Sequence, residues 1–360
     1  MTLDAGGSSL RFSARTGEGP VTPQLSLATE ADDLGRCLDS IVHGFRRIEA
    51  LCPRKPVALS FGFPGPADYR AGIIGDLPNL PAFRGGIALG PMLEDRFGLP
   101  ALIHNDGSLF AYGEAIAGFL PFVNGLLAAA GSTKRYGSLL GMTLGTGLGG
   151  GIVCDGELRI GDNSGAGQIW LLRNKIHAEM NAEEGACIRA VRRVYARVAG
   201  TELKRAPEPR DIYEIAMGSM PGDRVAAIEA FRQLGEVAGD AAAQALTLID
   251  GLAVIGGGIA GSHPLFLPSM VAEMNGTYRS PDGARVRRLG PLVFSLEDPD
   301  QREAFLRGEP REVVVPGGSR RVVHDAQPRI GVGVSRLGTS EAIATGAYAL
   351  ALRAIDGARG

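Results

Sequence analysis

Two glycine-rich segments hold residue types suited to gripping phosphate: Asp4-Ala5-Gly6-Gly7-Ser8-Ser9 and Leu144-Gly145-Thr146-Gly147-Leu148-Gly149-Gly150-Gly151. Glycines at a turn permit positive φ and remove Cβ atoms, so backbone N–H groups can wrap an anion, and Ser8, Ser9 and Thr146 add hydroxyl donors. Asp4 stands at the rim of the first loop, where a carboxylate suits Mg2+ held through coordinated water. Taken alone, each segment serves equally as an ordinary hairpin turn. Between the two lies Asn105-Asp106. A carboxylate there could take the proton of an attacking hydroxyl, or it could cap the helix that follows.

The elements that must position these residues follow from periodicity. Thr2-Leu3 and Leu10 to Ala14 read as the two strands of a hairpin across Gly6-Gly7. Leu34, Leu38, Ile41, Phe45 and Ile48 recur at helical spacing. Pro56 to Gly62 reads as a strand ended by Gly62-Phe63-Pro64-Gly65-Pro66, and a helix around Leu89 to Phe97 leads into the strand Ala101 to His104. A helix is expected from Ser108 to Phe119. The second half opens with a strand at Ser138 to Leu144. A long helix from about Arg224 to Ile249 turns Val225, Ile228, Phe231, Leu234, Ala238, Ala241, Ala245 and Leu248 to one face. The strand Leu252 to Ile255 then runs into Gly256-Gly257-Gly258, either a tight strand-to-helix turn or a seat for a flat group such as adenine. Alternating strands and helices argue for α/β lobes with a sheet in each.

Gly145, Gly147 and Gly150 formally satisfy the dinucleotide spacing Gly-x-Gly-x-x-Gly, which would make the chain a dinucleotide-dependent oxidoreductase. That motif needs a helix directly after the glycines. Here Gly151-Ile152-Val153-Cys154 continues as a strand and Asp155-Gly156 supplies a hairpin turn before Glu157 to Ile160.

At 360 residues the chain exceeds one ordinary core, and its 45% hydrophobic and 21% charged residues are globular values. A formal net charge of −2 gives no global pull toward nucleic acid or membrane. No run of some twenty apolar residues and no signal sequence is visible, and the four cysteines lack Cys-x-x-Cys spacing, so a reduced cytoplasmic protein is expected.

In this order, Asp-x-Gly-Gly-Ser, Asn-Asp, Gly-Thr-Gly-Leu-Gly-Gly-Gly and a late Gly-Gly-Gly resemble the ROK family of sugar kinases and repressors, within the actin-like ATPase superfamily. The resemblance covers roughly residues 1–280 and again 330–350. It implies a two-lobed α/β fold of the ribonuclease H-like kind with an ATP and sugar cleft between the lobes. Residues 1–115 would form the small lobe, completed by a C-terminal helix over 337–356, and 116–336 the large lobe. It implies Asp106 as the catalytic carboxylate and Asn79, Asn105, Asp106 and Gln168 as sugar ligands. Asp4, Gly6, Gly7, Ser8, Ser9, Gly145, Thr146 and Gly147 would serve the ATP phosphates, and Gly257 and Gly258 the adenosine. ATP with Mg2+ is the implied donor, a hexose or related sugar the acceptor, and a homodimer the implied assembly, with no nucleic-acid or membrane partner.

Departures from the family pattern matter as much. Where kinase members commonly carry Gly-Glu-x-Gly-His, this chain has Gly167-Gln168-Ile169-Trp170-Leu171, so a neutral amide replaces a carboxylate and the His is missing. The region of the family's zinc cluster reads His177 to Cys187 with one Cys and one His, which do not close a tetrahedral site; no structural zinc is expected, and Glu179, Glu183 and Glu184 read as a solvated acidic helix start. Residues 281–330 form an additional polar stretch with a hairpin across Val313 to Val323. An ATP-dependent sugar kinase of the glucokinase or hexokinase type is the leading expectation. A sugar-binding sensor with weak or no turnover is the alternative; the first loop starting at Asp4 leaves no room before it for the winged helix of the family's repressors.

Overall fold

The computed structural model describes residues 1–5, 9–77 and 80–357. The chain divides into two compact units: Met1–Gly113 with Arg159–Ala166 and Ser340–Gly360, and Glu114–Leu158 with Gly167–Thr339. The excursion 159–166, expected in the large lobe, belongs to the first unit.

In the first unit, Thr2–Ala5 pairs antiparallel with Ser9–Ser13, which pairs in turn with Leu25–Ala28. On its other side Thr2–Ala5 runs parallel to Leu59–Gly62, and that strand parallel to Ala101–His104. The helix Leu34–Leu51, capped by the Asp33 carboxylate on the Arg36 amide, lays Cys37, Ile41, Phe45 and Ile48 into the core. There Phe12 meets Phe45 edge to face with ring centroids 5.2 Å apart.

The second unit repeats the plan. Leu139–Leu144 pairs antiparallel with Leu148–Cys154, which leads on to Glu157–Arg159, and on its other side it runs parallel to Leu252–Gly256. The sheet then continues through Arg329–Val334 to Leu292–Ser295, both parallel. Residues 281–330 are therefore not wholly an added polar segment: they contain the edge strand 292–295 and reach into the strand 329–334. The expected hairpin is present as Pro310–Val314 against Arg321–Asp325. In both units the glycine-rich segment joins the first two strands, and a parallel fourth strand lies beside the first.

The helix expected over 108–119 is two, Asp106–Ile116 and Phe119–Ala129, parted at Gly118. The carboxylate of Glu114, fully buried in the second unit, accepts the Phe119 N–H at 2.7 Å. It also accepts the Leu337 N–H at 3.2 Å and the Ser335 hydroxyl proton, fixing the segment 335–337. Residues 106–129 are long and apolar enough to cross a bilayer by length and composition alone, yet 56% of their most apolar 18-residue window is buried inside the protein, as in a core helix.

The helix Arg224–Ile249 forms as expected and buries Phe231, Leu234, Ala238, Ala241 and Ala245 of the expected face, while Val225, Ile228 and Leu248 at its margins are exposed, Val225 and Leu248 to 72% and 88%. Beside these the buried face carries many small residues, Ala226, Ala227, Ala230, Gly235 and Gly239 among them. Small residues win because the helix His263–Met274 comes so close that a Cβ at Gly235 would sit 2.2 Å from the Phe266 carbonyl oxygen.

Candidate functional site

In the first unit, Asp4 lies opposite Arg11 across the hairpin and beside Gly62 on the parallel strand, while Gly62 in turn neighbours His104. A Cβ at Gly62 would stand 3.4 Å from the Asp106 Cα. The sheet thus gathers Asp4, Asn105 and Asp106 around the end of one strand. Gly6, Gly7, Ser8 and Asn79 lie outside the described residues; Ser9 opens the second strand, paired with Ala28.

Of Asn105 and Asp106, it is Asn105 that caps the helix: its Oδ1 accepts the Gly107 N–H at 2.9 Å and the Ser108 N–H at 3.3 Å. This leaves the Asn105 amide for donation, and it reaches the Tyr69 hydroxyl at 3.4 Å. Asp106 is the first helical residue; one of its oxygens accepts the Gly107 N–H at 2.9 Å. Asp106 is exposed, yet desolvation by nearby protein atoms raises its pKa above the usual carboxylate range; the Gly107 amide opposes this and the Asp4 charge adds to it. Asp4 itself is half-exposed, with Arg11 Nη1 at 3.6 Å.

Tyr69 was not anticipated. Its hydroxyl donates to the Phe63 carbonyl at 3.0 Å, its ring stacks on His104, and its N–H donates to the Ser164 hydroxyl at 3.2 Å. Burial raises the phenol and lowers the His104 imidazole to about 4, so His104 is neutral at physiological pH. Only spatial proximity reveals this tyrosine, because Asn105 and Ser164 lie far along the chain from it.

In the second unit the Gly145–Gly147 turn closes the hairpin between Leu139–Leu144 and Leu148–Cys154, with the Gly145 N–H on the Gly147 carbonyl at 3.0 Å. A strand, not a helix, follows the glycines, which removes the dinucleotide reading. Gly257, at φ +90°, lies against the end of the strand that enters this turn: a Cβ there would meet the Leu144 carbonyl oxygen at 2.2 Å, whereas Gly258 faces open space. Gly257 is thus required by packing, and its N–H is held by the Thr339 hydroxyl at 2.7 Å. Gly150 makes room for the turn at Gly167, since a Cβ on it would lie 2.3 Å from the Gly167 carbonyl oxygen. That contact seats the exposed Gln168 just before the short 3-10 turn Ile169–Leu171.

Glu183 and Glu184, read from sequence as a solvated acidic start, are bound instead. Glu183 Oε2 accepts the Leu148 N–H at 3.0 Å, and Glu184 pairs with Arg189 at 2.9 Å and Arg193 at 3.0 Å. The arginines follow at helical spacing and turn back over the acidic turn, a pairing the sequence already held. Among the described residues no group of three or more His, Cys, Asp or Glu could hold a metal ion. The half-exposed Asp4 carboxylate is of a kind that suits Mg2+, which binds through one or two carboxylates and fills its remaining positions with water and substrate phosphates.

Comparison with known proteins gives this geometry its context. The chain is 30% identical over 184 residues to an N-acetyl-D-glucosamine kinase of Photobacterium profundum, covering 51% of this chain and 55% of that protein. It spans about half the length of the curated relatives it matches. The crystal structure of a glucokinase from Parabacteroides distasonis is similar over 98% of this chain and 96% of its own, at 53% identity and a TM-score of 0.89. A ROK family glucokinase from Streptomyces griseus, solved with glucose and AMPPNP, shares the fold at 22% identity and a TM-score of 0.63, over 98% of each chain. The ROK family model matches residues 1–289, through both glycine-bearing hairpins and the strand that ends at Gly256. This chain belongs to the ROK family, and its pair of α/β units is that family's version of the actin-like ATPase fold.

Proposed function

We propose that this protein transfers the γ-phosphoryl group of ATP to a hydroxyl of a hexose or related sugar, as a glucokinase- or hexokinase-like enzyme. The observation that carries the reading is Asp106: Asn105 caps the helix and leaves the Asp106 carboxylate exposed just past the edge strand Ala101–His104, its Cα beside Gly62. The names of the relatives, glucokinase and N-acetyl-D-glucosamine kinase, agree with it.

In this reading Asp106 accepts the hydroxyl proton as the sugar oxygen bonds to the γ-phosphorus, the bond to the bridging oxygen breaks, and ADP leaves. A raised pKa makes Asp106 a stronger base than an ordinary carboxylate. The Asn105 amide, Asn79 and Gln168 hold sugar hydroxyls; Gln168 does so as a neutral donor and acceptor. Gly6, Gly7, Ser8 and Ser9 with Gly145, Thr146 and Gly147 offer amides and hydroxyls to phosphate oxygens, and Gly257 and Gly258 border the adenosine. Asp4 would hold Mg2+ through its water, and the bound ion supplies neutralisation of the β- and γ-phosphate charge. The same reading takes residues 1–115 and 337–356 as the small lobe and 116–336 as the large one. It places a homodimer in the cytoplasm, with a small sugar as partner and neither nucleic acid nor membrane.

The neutral Gln168 favours one competing reading, a sugar sensor with weak turnover. ADP release from Mg-ATP across hexoses, N-acetylhexosamines and ketohexoses decides between them. Turnover on one class names the acceptor. Sugar binding by calorimetry without turnover on any of them establishes the sensor and overturns the kinase.

A further inference from the structure

We propose that Glu183 and Arg189 are positioning residues for the second phosphate loop, holding its peptide planes so that the Thr146 and Gly147 amides are presented to a nucleotide phosphate. The inference rests on the reading of residues 145–147 as a nucleotide loop and adds to it the side chains that set the loop's conformation.

The geometry lies wholly within the second unit. The Gly145 carbonyl accepts the Ile188 N–H at 2.8 Å, and the Thr146 carbonyl accepts from Arg189 Nη1 at 2.9 Å. Both carbonyls are therefore drawn toward the segment 183–189. In a planar trans peptide the N–H points opposite to its C=O, so the amides of Thr146 and Gly147 face the other way, side by side. Successive amides turned to one side make an anion-binding concavity. The next amide, Leu148, is taken by Glu183 Oε2 at 3.0 Å, which fixes where that concavity ends.

Arg189 also donates to Glu183 Oε1 at 3.1 Å and to Glu184 Oε1 at 2.9 Å. This pairing has an electrostatic purpose. A lone carboxylate beside a phosphate loop would repel its ligand, and the adjoining guanidinium cancels that charge while its second nitrogen holds the loop carbonyl. Gly147 fits the same arrangement: a Cβ there would stand 2.4 Å from Glu183 Oε2, so its small size makes room for the bracing carboxylate. Arg189 is half-exposed, so its removal should disturb the loop far more than the core.

Calorimetry of Mg-ATP and of adenosine, with thermal melting, tests this on the full chain and on Arg189→Ala, Glu183→Ala and Glu183→Gln. Arg189→Ala and Glu183→Ala should weaken Mg-ATP roughly ten- to hundredfold, as expected for loss of a charge-assisted hydrogen bond, with adenosine affinity and melting temperature little changed. Glu183→Gln, which can still accept the Leu148 N–H, should lose less. Unaltered Mg-ATP affinity in Arg189→Ala, or equal weakening of adenosine accompanied by a lowered melting temperature, overturns the inference while leaving the function standing. Failure of the unsubstituted protein to bind Mg-ATP overturns both.

Discussion

His104 makes the folded protein acid-sensitive in a way that can be calculated. Its imidazole sits at the end of the edge strand Ala101–His104, stacked on Tyr69, and burial lowers it from 6.5 to about 4. Below pH 6.5 the unfolded chain takes up a proton at this position that the folded chain refuses. Stability contributed by the neutral ring is therefore complete above pH 6.5 and is lost as pH falls toward 4. At 1.36 kcal/mol for each pH unit of that window, the loss amounts to about 3 kcal/mol. Carboxylates titrate in the same range, so the informative quantity is the difference between the parent and His104→Phe. Urea unfolding at pH 7.5, 6.5, 5.5 and 4.5 should show the parent losing about 3 kcal/mol more than the variant across the series. A stability difference independent of pH would refute the claim that His104 is held neutral.

Two further substitutions test close approaches and buried polar groups. Gly113→Ala places a Cβ 1.9 Å from the Ala342 carbonyl oxygen within the first unit, and urea unfolding should register a loss of about 1–3 kcal/mol or more from overpacking. Glu114→Ala removes the acceptor of the Phe119 and Leu337 N–H groups and of the Ser335 hydroxyl; stability should fall by about 3 kcal/mol or more, with Glu114→Gln in between.

Much of the architecture was legible because local pattern and tertiary demand agree. The helix Leu34–Leu51 carries its cap and its apolar spacing in the sequence, and the Asp155-Gly156 turn announces the hairpin after the second loop. In the long helix Arg224–Ile249 the periodicity found the buried Phe231, Leu234, Ala238, Ala241 and Ala245 but missed how far the close neighbour helix widens the buried face with glycines such as Gly235 and Gly239, and it overreached at Val225, Ile228 and Leu248. The same limit applied in 281–330, where the short strand Leu292–Ser295 hides in charged surroundings because only its partner Arg329–Val334 makes it a strand. At the site, residue types at loop positions pointed to Asp106 and Asn105. Sequence could not say which of them caps the helix, since both side chains suit that role. Tyr69, Glu183 and Arg189 were invisible as site residues because their roles arise from bonds to Asn105, Leu148 and Thr146, distant in the chain.

The most direct test of the central claim compares Asp106→Asn with the parent on the sugar that supports turnover. The variant should bind sugar and Mg-ATP nearly as tightly while kcat falls by at least roughly two orders of magnitude. The parent's kcat should decline on acidification at a pH above the ordinary carboxylate range, following the raised pKa of Asp106. Retained kcat in Asp106→Asn, or loss of binding in proportion to loss of rate, would contradict a catalytic base at this position.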